Sequence, residues 1–167
     1  MRSPARRRFF RATGALLATA SLAGCGFQLR GPRPLAFSTI HVGVGAQTDL
    51  GAALRRRLAA NGTSVAEDAA QADVRLEFLR DSQDREILTL TGAGKVREYQ
   101  LKRLMTFRLV DRGGKDWISP TTISARREYN YDDSQVLAKE QEEALLFRDM
   151  QADLVEQLMR RLAAAKP

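Results

Sequence analysis

Along this chain apolar residues alternate with polar ones in some stretches and recur every three or four positions in others, and the switch between the two periods lays out the elements. Ile40, Val42 and Val44 occupy alternate positions with His41 on the other face, which predicts a half-buried strand over 38–43. Leu50, Ala53, Leu54, Arg57 and Leu58 follow at helical spacing. Thr48 or Asp49 can cap that helix, and Asn61-Gly62 can stop it in a left-handed turn near Ala60. Alternation returns with Val74, Leu76 and Phe78, and a polar interval from Asp81 to Glu86 bulges or breaks this strand before residues 87–91. Gly92-Ala93-Gly94 turns the chain into a long strand over 96–110. There Tyr99, Leu101, Met105, Phe107 and Leu109 share one parity that only Arg103 interrupts. A charge inside such a row either snorkels at an edge or marks a polar opening. Gly113-Gly114 turns the chain again, Pro120 delays the next strand, and residues 123–131 form the last one.

Asp132-Asp133-Ser134 then starts a long helix whose core stripe is Phe147, Met150, Leu154, Leu158 and Leu162. The order is strand, helix, three strands, helix. It predicts an α+β fold, a two-layer sandwich with two helices on one face of a four-stranded mixed sheet. No internal repeat is present, and Arg55-Arg56-Arg57 reads as a mostly solvated helix face.

The amino-terminal stretch follows neither period. Arg2, Arg6, Arg7, Arg8 and Arg11 precede an apolar run that closes on Leu22-Ala23-Gly24-Cys25, the layout of a secretory signal with small residues at the cut. The sole cysteine stands at that cut, as in a bacterial lipobox, where the sulfur receives a diacylglycerol and the new amino terminus an acyl chain. A transmembrane reading is opposed by length, because residues 12–24 fall short of the roughly 20 a span needs. The expected organisation is a signal peptide at 1–24, a lipidated amino terminus and Pro-rich linker at 25–36, and one sandwich domain at 37–167. Arg6-Arg7 also fits a twin-arginine signal, so the export route stays open between that and the general one.

Composition changes meaning once the signal is set aside. Five of the 27 basic residues and none of the 20 acidic ones precede Cys25, so the formal net charge falls from +7 to +2. A nucleic-acid partner, which a strongly basic domain would invite, is therefore not expected. Catalytic inventory is thin as well. A single histidine cannot build a multi-histidine metal site, no free thiol remains after lipidation, and no nucleophile elbow or phosphate loop is present. Neighbouring acids such as Asp132-Asp133 and Glu142-Glu143 point apart and read as a helix start and a solvated face. No enzyme and no cofactor beyond the covalent lipid are expected.

Gly24-Cys25-Gly26-Phe27-Gln28-Leu29-Arg30-Gly31 carries the most specific resemblance. Glu98-Tyr99-Gln100-Leu101, Val136-Leu137-Ala138-Lys139 and Glu156-Gln157-Leu158-Met159-Arg160-Arg161-Leu162 extend it in order and spacing. Together these resemble the LptE family of lipopolysaccharide-assembly lipoproteins. The resemblance implies two helices on a four-stranded sheet, an outer-membrane location, and a partner in the LptD-type β-barrel, which such a protein plugs and helps to assemble. It further implies contact with lipopolysaccharide through basic residues. One family position carries over to Lys139. The other lies at the tip of the central hairpin, where this chain has Thr91 and Gly92, with Lys95 and Arg97 nearby. A plug without ligand contact, or a periplasmic lipoprotein that binds cell-wall glycans, would share most of these features.

Overall fold

The computed structural model describes residues 34–167, so the signal and Cys25 lie outside the described residues. In chain order the elements are β1 (Thr39–Val42), α1 (Asp49–Ala60), β2 (Ser64–Ala66), β3 (Val74–Leu90), β4 (Val96–Asp111), β5 (Asp116–Asn130) and α2 (Val136–Ala164). Short 3-10 turns at Ala69–Gln71 and Asp133–Gln135 lead into β3 and α2.

The sheet has five strands in the order β2-β1-β3-β4-β5, one more than the four expected. β1 pairs in parallel with both β2 and β3, whereas β3-β4 and β4-β5 are antiparallel. The extra strand is β2, whose Ser-Val-Ala is too short to show a period of two. Its pairing comes from the crossover through α1, which returns the chain beside β1 in the register Thr39↔Ser64.

Two other boundaries also differ from expectation. β3 runs unbroken through its polar interval, with a register shift between Phe78 and Arg80 that leaves Leu79 as a bulge. The extra residue reverses the parity. Leu76 and Phe78 lie opposite the core residues Leu109 and Phe107 before the bulge, while Asp81, Gln83, Arg85 and Ile87 do so opposite Met105, Arg103, Leu101 and Tyr99 after it. β5 begins at Asp116, ahead of Pro120 rather than after it. The β4 ladder passes from Thr121 to Ile118 with Ser119 and Pro120 left out, so the missing proline N–H breaks no bond of that ladder.

Thr48 caps α1 by accepting from Gly51 N at 3.0 Å, which settles the cap between the two candidates. The helix ends at Ala60 with Asn61 as its C-cap, followed by Gly62 at φ 76°, where the left-handed turn favours glycine. Both helices cover one face of the sheet. Ile40, Leu76, Leu101, Met105, Phe107 and Leu109 meet Leu54 and Leu58 of α1 and Met150, Leu154, Leu158 and Leu162 of α2, all fully buried. Each such aliphatic side chain contributes about 1.5–3 kcal/mol by leaving water. The buried positions of α2 begin only at Met150, so its first half lies beyond the apolar core.

Arg103 sits within the core row, 4% exposed, and neither snorkels nor lines an opening. Its guanidinium donates twice to the Asp81 carboxylate, from Nε at 3.2 Å and a terminal nitrogen at 2.9 Å, and once to Gln151 Oε1 at 2.9 Å. A charge is tolerated there because its hydrogen-bonding groups reach both β3 and α2.

Candidate functional site

The β3-β4 hairpin projects past the end of β1, and at its far end four chain segments meet. These are the turn at 91–95, the start of β4, the end of β5 and the corner that leads into α2. Tyr131 N donates to Arg97 O at 2.9 Å, which ties the β5 exit to the β4 entrance. The corner itself is built by Asp132, whose side chain accepts from Ser134 N at 2.9 Å and Ser134 Oγ at 2.7 Å. These bonds, the backbone one first, hold the Asp132 carboxyl below its ordinary range, with the nearby Lys139 adding to the effect.

Two of the three candidate lysine and arginine contacts converge on this corner. Lys95 Nζ donates to Asp133 Oδ2 at 2.6 Å, and that carboxylate raises the ammonium's pKa, with Asp132 contributing at longer range. Lys139 stands one turn into α2, where its Nζ donates to Glu142 Oε2 at 2.8 Å; its side chain is 19% exposed. Arg97 is exposed on β4 at the same end. So Lys95 and Lys139 flank the Asp132-Asp133 corner from either side, and each has a carboxylate partner.

A second cluster lies one layer in, under the first half of α2. Glu143 Oε2 accepts from Arg85 at 3.0 Å and from the Tyr129 hydroxyl at 2.6 Å. The Arg85 guanidinium also lies 4.7 Å above the Tyr99 ring, which stacks on Tyr129 and meets Tyr131 edge-on. Burial and the adjacent Glu143 carboxylate push the Tyr129 phenol above its ordinary 10, and hydrogen bonding to Glu143 raises the Arg85 pKa. The alternation of β3 hid this cluster, because the bulge at Leu79 places Arg85 on the helix-facing side. The only sequence sign was the tyrosines: Tyr99 and Tyr129 stand opposite each other on β4 and β5, and Tyr131 follows just past the end of β5.

Apolar side chains surround these charges. Leu90 is 56% exposed at the hairpin end, and Val136 and Leu137 are 40% and 76% exposed at the start of α2. Among the described residues no cluster of histidine, cysteine or carboxylate could hold a metal, and no helix is long and apolar enough to cross a membrane. The site can bind an amphiphile, with cations for anionic groups beside exposed apolar side chains.

Comparison with known proteins agrees with this architecture. The family model LptE, lipopolysaccharide-assembly, matches residues 36–162. The LPS-assembly lipoprotein LptE of Pectobacterium atrosepticum is 27% identical over 150 residues, which span 87% of this chain and 80% of that protein. Among solved structures, uncharacterized lipoprotein B from Nitrosomonas europaea superposes with a TM-score of 0.71 at 30% identity, covering 83% of this chain and 91% of that one. A minor lipoprotein from Acinetobacter baumannii gives 0.65 at 32% identity over 80% of this chain and all of that one.

Proposed function

The chain belongs to the LptE lipopolysaccharide-assembly family, and from that membership we propose an outer-membrane lipoprotein, anchored through lipid on Cys25, that plugs and helps to assemble an LptD-type β-barrel. Within that role it binds lipopolysaccharide at the hairpin end and catalyses no reaction. The observation that carries the ligand reading is the meeting of Lys95, Arg97 and Lys139 with exposed Leu90, Val136 and Leu137 around one corner. Lipopolysaccharide offers phosphates and acyl chains side by side. A phosphate displaces Asp133 from Lys95, since that exposed pair is worth little, and competes with Glu142 for the more sheltered Lys139 by bringing more charge and more acceptors.

The plug reading draws on the open face of the sheet. Residues Glu77, Arg80, Ser82, Asp84 and Glu86 of β3 and Lys102, Thr106 and Arg108 of β4 make it polar and mixed in charge, a match for the polar interior of a large barrel. A plug without ligand contact is the second reading, favoured by the carboxylate already on each lysine.

Lys139→Glu separates them. Lipopolysaccharide binding by the folded variant should fall about tenfold at low salt and by less at high salt, where screening weakens the wild-type contact. Reversal of Lys95 and Arg97 together should have a smaller effect, because both stand away from the family's tip position. Equal binding by wild type and Lys139→Glu would leave the plug without a ligand. Failure of any large β-barrel to co-purify with the detergent-extracted protein would remove the barrel reading and favour a glycan-binding lipoprotein.

A further inference from the structure

Beyond the bulge at Leu79 the helix layer covers β4 and leaves β3 bare. On the helix-facing side Leu101 and Arg103 of β4 are buried and Tyr99 is half-buried, whereas their β3 partners Arg85, Gln83 and Ile87 are all exposed. A shelf results beside the first half of α2, with Ile87, 57% exposed, nearest the hairpin end, Arg85 in the middle and Gln83 behind it. Leu88 and Leu90, next along the strand, are open as well, which makes this end an apolar patch rather than a single stray residue.

Arg85 is set up differently from Arg103, the other arginine of that face. Arg103 is buried, and its guanidinium donates three times within the fold. The Arg85 side chain is 47% exposed and donates from one terminal nitrogen to the half-buried Glu143. Glu143 is itself steadied by the Tyr129 hydroxyl, and the Arg85 guanidinium lies 4.7 Å above the Tyr99 ring. The carboxylate and the ring therefore fix the cation at one corner, and most of its five N–H donors are left facing solvent. Fastening α2 to β3 needs one of those donors; the open remainder is not explained by it. Lys139 stands one helical turn before Glu143 on the same side of α2, so a second cation lies close by.

We propose that Arg85 is a lipopolysaccharide-binding residue. Its outward donors take a phosphate of the glycolipid as a charge-assisted fork while Glu143 stays bound, and an acyl chain lies over Ile87, about 7 Å further along the same face of the strand. The orientation imposed by Glu143 and Tyr99 lowers the ordering cost of that contact, because the side chain is already held where the phosphate meets it. The assignment rests on the lipopolysaccharide reading above and adds a contact on β3 to those at the corner.

Capture of the full-length, detergent-extracted protein on immobilised lipopolysaccharide, either intact or with its lipid phosphates removed, tests it. Arg85→Gln, checked for native circular dichroism, should bind the intact form about five- to tenfold more weakly at low salt, and lose less at high salt. On the dephosphorylated form it should match wild type. Arg85→Lys should fall between the two, because an ammonium held by Glu143 keeps the charge but presents no planar fork. A penalty of equal size on both forms would overturn the proposal, since a loosened α2 acts on either ligand alike. Undiminished binding by Arg85→Gln, where Lys139→Glu has lost it, would overturn the Arg85 contact and leave the corner site standing. A wild type that captures neither form would remove the lipopolysaccharide reading and this contact with it.

Discussion

Arg103 shows how one residue can be misplaced by pattern and explained by geometry. Its position in an apolar row predicted an edge or an opening, but it is a nearly buried cation satisfied by Asp81 and Gln151. Truncation should cost more than the pair is worth, because Arg103→Ala leaves a void and deprives a half-exposed carboxylate of its partner. We expect a loss of about 3 kcal/mol in urea unfolding. Replacing both charges, Arg103→Met with Asp81→Val, should return stability to within about 1 kcal/mol of wild type, since apolar substitutes avoid the desolvation cost altogether. Tyr129 makes a different prediction, one about pH. Its folded-state pKa is raised by burial and by Glu143, so the fold favours the protonated phenol. That stabilisation is complete below the unfolded value near 10 and is lost as pH climbs through the higher folded value. Tyr129→Phe should therefore cost about 1 kcal/mol at neutral pH through the lost hydrogen bond. The gap between wild type and variant should close in unfolding titrations above about pH 10.

At the scale of elements, the long strands and both helices were legible because their apolar residues repeat with a clear period. Of the stripe read from spacing alone, Met150, Leu154, Leu158 and Leu162 are buried, whereas Phe147 is only half-buried against the core. What escaped was whatever tertiary contact decided. β2 is too short to carry a period, the bulge at Leu79 is set by the β4 register, and Pro120 is admitted only by a gap in the β4-β5 ladder. The candidate site was legible in part. Lys139 and Lys95 were named, but their meeting across Asp132-Asp133 depends on where β5 ends, and Arg85 and Glu143 were obscured by the bulge. Gly51 escaped as well. It lies in the first turn of α1, where an added Cβ would stand 2.1 Å from Gly45 O in the loop that carries the Thr48 cap. The clash is with backbone, which cannot swing aside as a side chain would. Gly51→Ala should therefore destabilise by about 2–3 kcal/mol despite the better helix propensity of alanine, measurable as a lower midpoint of thermal unfolding.

For the described domain as a whole, stability is distributed unevenly along its length. Apolar packing joins α1 and the second half of α2 to the sheet, with Leu54, Leu58, Leu154, Leu158 and Leu162 fully buried. The first half of α2 has no fully buried residue and leaves Leu137 and Leu145 exposed. Leu146 and Phe147 are only half-buried there, so polar contacts provide much of what holds that half down. Glu143 is the centre of those contacts, taking both Arg85 from β3 and Tyr129 from β5. A segment held mainly by polar bonds near solvent opens at lower free energy than one held by core packing. Native-state hydrogen exchange should accordingly show the amides of residues 140–149 exchanging well before those of 152–162, although both belong to one continuous helix. Glu143→Ala removes the acceptor shared by two strands without disturbing the apolar core. It should accelerate exchange in the first half by about tenfold, equivalent to about 1.4 kcal/mol of local stability, while leaving the second half at the wild-type rate. Uniform acceleration along α2 would mean that the helix opens as one unit, and the hairpin end would then be as stable as the core beneath it.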